Sequence, residues 1–539
     1  MIALIIIAVI IITIIALALH FVLGSAAVPS ERKKVVVYAY RDAITGIDPG
    51  IEFDTGLVIL GVVYEPLLYY NPLTNEFKPG LAIQWKKIND TAWIFILRKD
   101  AVFHDGIRVT AEAVKFSIER TKTIYDQTGI GPGYIWDPIE KIIVLNETAI
   151  VFKLKYPAPL DLIAASSYGA YIYSPKVLEY ANAENITDER IRQWFEKGND
   201  VGSGPYRIVK YEPESEIILE KFDKWWGWKE VNNPNAPDTV IIKIIETPES
   251  QELGLRTKEI DIASSVPRAN IDKLKKEGFA VKLQNTYHNF ILMLNTKRWP
   301  TNITEVRKAI AYAIPWNQLI ENALYGYGRL ASGIIPYGYP GHLDNLTYEY
   351  SLEKARNFLK QAGIWGKDIK LEIVITSGYE EEENFAQLLR SSLAQLGIDL
   401  EIIAVPWEQV REYGESIWKN PEEAPHMIIN DWWPTYPTPY DYLYLLYCDD
   451  IEWNWAGYCN NEYDELIDKA WELEGINYDK AIELYTKAQA LLFRDVPAIG
   501  LWDDVQPYIY NPNKIRFREE AFNPLYMYVI FFQYVEVIG

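Results

Sequence analysis

Residues 369–405 read IKLEIVITSGYEEEENFAQLLRSSLAQLGIDLEIIAV, and the hydrophobic rhythm changes twice along them. The segments 369–376 and 398–405 are short and rich in Ile, Val and Leu, and a Gly-containing turn stands beside each; both read as buried strands. Between them 380–396 repeats its apolar residues at helical spacing. A strand, a helix and a strand in so short a compass are a piece of the alternation that argues an α/β architecture.

The same alternation continues in both directions. Upstream, KVVVYAY at 34–40 reads as a strand, and 80–160 holds alternating segments around a helix at 110–122 that Thr110 would cap. A helical stretch is expected at 175–197, strands at 206–222, 239–246 and 287–295, and helices at 304–314, 316–324 and 351–362. Downstream come helices at 459–474 and 478–493, then strands beyond 497. No fixed-period repeat and no linker separates these stretches. A chain of 539 residues exceeds one ordinary core. The expectation is therefore an α/β protein of more than one lobe, with the chain crossing between lobes and returning.

Composition excludes several functions. The formal net charge of −21 repels phosphate backbones, and no Lys/Arg block interleaves with aromatics, so nucleic-acid binding is not expected. The five histidines (His20, His104, His288, His342, His426) are far apart, and HExxH, paired CxxC, GxSxG, P-loop and GxGxxG motifs are absent. The acidic run Glu380–Glu383 reads as a solvated helix face rather than a hydrolase site. The chain reads as no enzyme and as needing no metal or cofactor. Its anomaly is aromatic: 18 Trp and 38 Tyr, stiff amphipathic surfaces suited to cores and to ligand walls.

Residues 2–23 are apolar apart from Thr13 and His20, long enough as a helix to span a bilayer core. The run is longer than the core of an ordinary export signal and has no basic start, which favours an uncleaved anchor, although GSAA at 24–27 would serve as a cleavage site. Arg32, Lys33 and Lys34 would place the body in the cytoplasm by charge bias alone. Against this stand five Asn-X-Thr sequons at Asn89, Asn146, Asn185, Asn302 and Asn345, which matter only outside the cytoplasm. Cys448 and Cys459 are the only cysteines, either bridged across a short loop or present as two free thiols.

Several blocks carry a family resemblance. In order they are IDPG (47–50), VYEPLLYYNP (63–72), PGLAIQW (79–85), LRKDAVFHDGIRVTAEAVKFSIER (97–120), GSGPYRIVKYEP (202–213) and FDKWWG (222–227). LMLNTKRWP and EVRKAIAYAI follow within 292–314, then SLEKARNFLKQAGI, LLRSSLAQLGIDLEI, NNEYDELIDKA and AQALLFRDVPAIGLW. Together they resemble the family 5 extracytoplasmic solute-binding proteins, the peptide, nickel and oligosaccharide receptors of ABC importers. The resemblance implies a two-lobed periplasmic-binding-protein-like fold with an extra subdomain, preceded by a transmembrane or signal helix. Residues 1–33 would be anchor or signal plus linker. Lobe I would comprise 34–60, 200–278 and 500–539, the extra subdomain 61–199 and lobe II 279–499. The body would sit on the outer face of the membrane, tethered or secreted, capturing an oligopeptide or oligosaccharide by lobe closure and delivering it to the permease. A surface structural or adhesion protein is the competing reading. Within the blocks, His104 in FHDG reads as a turn or packing residue, and GSGPY as a crossing loop that tolerates only small residues.

The ligand wall should lie in NDWWPTYPTPYDYLYLLYCDD (430–450). Where peptide receptors of the family carry an Asp for the ligand's ammonium, this chain has Thr435, which lacks the needed charge. Either another acid serves, Asp431 being the nearest candidate and Asp441 the next, or the ligand is not a free-amine peptide; Asp431 also reads as a solvated strand-end acid. Trp432 and Trp433 would face opposite sides of a strand. Tyr436, Asn454 and Trp455 would continue the wall, and Tyr64, Tyr134 and Trp136 would face it.

Overall fold

The strand Val35–Tyr40 pairs in parallel with Thr239–Ile244, so the two ends of a long excursion meet in one sheet. The computed structural model describes residues 33–71, 74, 76–448 and 450–539. The apolar run at 2–23 lies outside the described residues; among those described, no helix is long and apolar enough to cross a membrane. Val35–Gly539 forms one compact unit.

Its main sheet runs, neighbour by neighbour, through Ile398–Val405, Ile369–Thr376, Met427–Trp432, Ala280–Leu294, Ala498–Tyr510, Ile262–Ala263, Val35–Tyr40, Thr239–Ile244, Glu216–Lys221 and Tyr206–Glu212. The opening stretch folds as expected. Ile369–Thr376 and Ile398–Val405 are parallel and in register, and helix Glu380–Ala394 buries Phe385, Leu389 and Leu393 between them and neighbouring helices.

Two long antiparallel strands, Ala280–Leu294 and Ala498–Tyr510, join the halves of this sheet. Tyr510 and Ile509 also pair with Ile262 and Ala263 on one side, and residues 289–294 pair with 427–432 on the other. The register between the long strands shifts between Asn285 and Asn289 and again at Phe290/Ile291. Such an irregularity bends a ladder where continuous pairing would stiffen it.

Between Val35–Tyr40 and Tyr206–Glu212 the chain makes a separate four-stranded sheet, Ala82–Asn89, Ala92–Leu97, Ala149–Leu154 and Ile139–Asn146 in spatial order. It carries helix Ala111–Thr128, and Thr110 caps it by accepting from the Ala113 amide. The expected helix at 175–197 is instead two short pieces, Val177–Tyr180 and Glu189–Phe195. Asn182 stands at φ 52°, and Asn185 turns the chain by accepting from the Thr187 amide; both actions compete with helix. Helix Trp407–Lys419 was not foreseen at all.

GSGPY behaves as its composition implies: a Cβ at Gly202 would stand 2.0 Å from the Val63 carbonyl oxygen. His104 packs there, its Nε2 3.0 Å from the Gly204 carbonyl and its Nδ1 on Asp200.

Candidate ligand-binding site

In an α/β sheet, ligands collect at the carboxyl ends of parallel strands, where backbone dipoles and loops converge. Here four such ends converge. Val35–Tyr40 delivers Arg41 and Asp42, with Asp54 in the loop beyond. Ile369–Thr376 delivers Tyr379, Ile398–Val405 leads to Glu408 in the first helical turn after it, and Met427–Trp432 carries Asp431.

These side chains interact across the cleft. Arg41 pairs with Asp42 at 3.4 Å and lies over the Tyr379 ring, 4.9 Å from its centroid. Asp54 keeps solvent access, yet its carboxyl is pushed up to about 6, by partial burial and then by the charges of Asp42, Asp431 and Glu408. The result is a cluster of acids with the Arg41 guanidinium beside it.

Asp431 is tied down from behind. His288, in the irregular part of its long strand, places Nε2 2.8 Å from Asp431 Oδ2, with Nδ1 3.9 Å from Asp504 Oδ2. Burial works against the imidazolium, but the bond to Asp431 and the nearby Asp504 outweigh it, raising His288 to about 9. Arg268 and His288 in turn hold the buried Asp504 down at about 2. Asp431 is thus half of an ion pair with one carboxylate oxygen remaining.

Thr435 does something different from what the resemblance implies. Its Oγ1 is bonded to the hydroxyls of Tyr168, at 2.7 Å, and Tyr134. Its amide donates to Asp441 Oδ2 at 3.1 Å, and its carbonyl accepts from the Ser167 amide and hydroxyl at 3.2 and 3.1 Å. The hydroxyl and carbonyl of Thr435 are therefore spent joining 134–168 to 435–441, and its amide is spent within its own turn. Asp441, the second substitute acid, is buried beneath this contact and raised to about 7 by desolvation, against the bond from the Thr435 amide.

The aromatic wall is corrected in several places. Tyr64 is buried against Tyr171 and Tyr173, and Trp136 is buried with its indole N–H on the Gly169 carbonyl at 2.8 Å. Trp455 is fully buried, donating to the Glu452 carbonyl, and Asn454 bonds the Tyr447 and Tyr458 carbonyls, bracing its loop. Tyr436 is also buried, its carbonyl accepting from the Tyr339 hydroxyl. These side chains build the core: the Trp136 and Trp455 indole N–H groups and the Asn454 amide are met internally, whereas the Tyr64 hydroxyl is buried without a partner. Trp432 and Trp433 do diverge: Trp432 meets Trp453 edge-on at 5.1 Å, and Trp433 meets the His288 ring at 5.7 Å beside Asp431. Cys448 and Cys459 are joined as a disulfide, and all five sequon asparagines are exposed. Arg41, Asp42, Asp54, Tyr379 and Glu408 were missed. The only signal was position, just past a legible strand for Arg41, Asp42 and Tyr379.

Comparison with known proteins agrees with this architecture. Residues 76–453 match the family model described as bacterial extracellular solute-binding proteins, family 5 middle. The probable D,D-dipeptide-binding periplasmic protein DdpA of Escherichia coli is 27% identical, over 94% of this chain and 96% of that protein. The dipeptide-binding protein of the same organism is 24% identical, over 87% and 89%. Among solved structures, the periplasmic binding protein DppA of Helicobacter pylori, in complex with the peptide STSA, superposes with a TM-score of 0.76 at 25% identity, covering 94% of this chain and 98% of that one. CtaP of Listeria monocytogenes superposes at 0.81 with 18% identity, over 94% and 100%.

Proposed function

The chain belongs to the family 5 extracellular solute-binding proteins, and from that premise we propose that it captures short free-amine peptides outside the cytoplasm and presents them to an ABC permease. Capture is by closure of two lobes, 34–60 with 200–278 and 500–539 against 279–499, with 61–199 as the extra subdomain. The irregular stretch at 285–291 in the paired long strands is the bending line. No covalent step is involved.

The observation that carries the ligand class is Asp54, an exposed residue whose carboxyl is raised to about 6 by partial burial and then by the charges of Asp42, Asp431 and Glu408. An ammonium entering between Asp54 and Asp431 relieves that repulsion, and Arg41 is positioned for a carboxylate at the other end. The two-signed cleft suits a zwitterion. The names of the relatives, which refer to dipeptide binding, lend support. Asp54 with Asp431 takes the role that Thr435 has given up to the contact with Tyr134 and Tyr168.

The test is calorimetry with matched peptides, free and N-acetylated. Free-amine peptides should bind at least about tenfold more tightly, the size of one charged hydrogen bond, and Asp54→Asn should abolish the difference. Because an ammonium needs ionised Asp54, affinity should climb from pH 5 to 7, around the raised value of about 6. Equal binding of the two peptide forms would sink the reading.

A further inference from the structure

A cavity of about 530 Å³ lies between two separated stretches of chain, and its volume is within the range of small-molecule sites. One wall comes from the chain before residue 163, with Tyr70, Phe77 and Asp161; the other comes from Tyr339 and from the turn between helices Asn461–Glu474 and Tyr478–Asp495, with Tyr478. The walls meet at one edge, where Lys87 Nζ donates to the Gly475 carbonyl at 2.6 Å. None of these residues belongs to the proposed peptide site.

The lining carries a carboxylate oxygen that no protein group answers. Asp161 is half-buried; its Oδ1 accepts from the Leu162 amide at 3.0 Å, whereas its Oδ2 has no partner among the described residues and is not sealed from solvent. The half-buried Tyr478 hydroxyl is likewise unpartnered and open, an acceptor for a further N–H. Lys87, the cation of this lining, is spent elsewhere: its ammonium is held by the Gly475 carbonyl and by Asp90 at 2.8 Å. It acts on Asp161 only as a charge, the smallest of the influences that oppose burial in raising that carboxyl. A carboxylate drawn out of water without a counter-charge costs free energy, and a donated ammonium recovers it. An alcohol brings the donor without the charge, and an anion is repelled. The rest of the lining is largely aromatic. Tyr70 and Phe77, with ring centroids 5.2 Å apart, and the Tyr339 and Tyr478 rings offer π faces to a cation and apolar area to the organic group that carries it.

We propose that this cavity is a second binding site, for a small primary amine of the alkyl or arylalkyl class, independent of the peptide site. The ammonium donates to Asp161 Oδ2, and the hydrocarbon part lies against the rings of Tyr70, Phe77 and Tyr478.

The experiment is calorimetric titration of the full chain with phenethylamine and hexylamine, and with phenethyl alcohol and phenylacetate as the neutral and anionic counterparts. At least one amine should bind one to one, at least about tenfold more tightly than either counterpart, the size of one charged hydrogen bond. Asp161→Asn keeps an Oδ1 for the Leu162 amide, so it should retain the wild-type melting transition while weakening amine binding at least about tenfold. Phe77→Leu keeps apolar bulk without a ring face and should weaken it by about two- to fivefold. Asp54→Asn should leave amine binding unchanged, and Asp161→Asn should leave peptide binding unchanged. The proposal is overturned if no amine binds, if phenethyl alcohol or phenylacetate binds as tightly, or if Asp161→Asn binds the amines as the wild type does. It is equally overturned if Asp54→Asn abolishes amine binding or Asp161→Asn abolishes peptide binding, since the two sites would then be one. Equal binding of free and N-acetylated peptides would end the peptide reading alone and leave this site standing.

Discussion

At the scale of single residues, the proposed reading divides between two acids the work expected of one. Asp431 is held by His288, whereas Asp54 is raised by partial burial and then by the charges of neighbouring acids. Removing His288 should therefore be structural in effect. His288→Ala leaves Asp431 unpaired and Asp504 with only its arginine, and should cost about 3–5 kcal/mol in denaturant unfolding, as breaking a buried pair does. The pH dependence has a definite sign. A histidine raised from its usual 6.5 to about 9 contributes fully below 6.5, and that contribution is lost as pH rises through about 9. The wild-type protein should lose stability across that window more than His288→Ala does. Equal slopes would remove His288 from the account.

At the scale of elements, legibility followed locality. The parallel pair around helix Glu380–Ala394 could be read because each piece is periodic and bounded by its own turns, and Thr110 announces its helix because capping is a local bond. The stretch 175–197 misled because helical composition says nothing of an asparagine at positive φ. Of the proposed site, Asp431 and Trp433 stood out in the sequence, at the end of the strand Met427–Trp432 and just past it. The site was not legible at Asp54, which sits in irregular chain and whose carboxyl is raised by partial burial and then by acids that include Asp431 and Glu408, far away in sequence. Trp136 and Trp455 were read as wall because aromatic content does not reveal whether an indole N–H is met internally. The Cys448–Cys459 bridge closes an eleven-residue separation. Loop-closure entropy for that length is about 3 kcal/mol, so the double Cys→Ser variant should unfold earlier in denaturant by about that amount. A change below about 0.5 kcal/mol, the scatter of neutral surface substitutions, would mean the loop is held by Asn454 alone.

For the whole molecule, the buried acids set the working range. Glu65, Asp441, Glu474 and Asp503 are each pushed up to about 7 by burial. Between pH 4.5 and 7 the folded chain keeps protons that the unfolded chain has released, so stability falls as pH rises through that interval. His288 adds a further fall above it. The melting temperature should peak on the acidic side, near pH 4–5, and be clearly lower at pH 8; a flat or rising profile would contradict the protonated interior. The most direct check on peptide capture is mass spectrometry of ligand released from the purified wild-type protein and from Asp54→Asn. Free-amine peptides should come from the wild type and be strongly depleted in the variant. Peptides recovered equally from both, or only ligands without an amine, would contradict it.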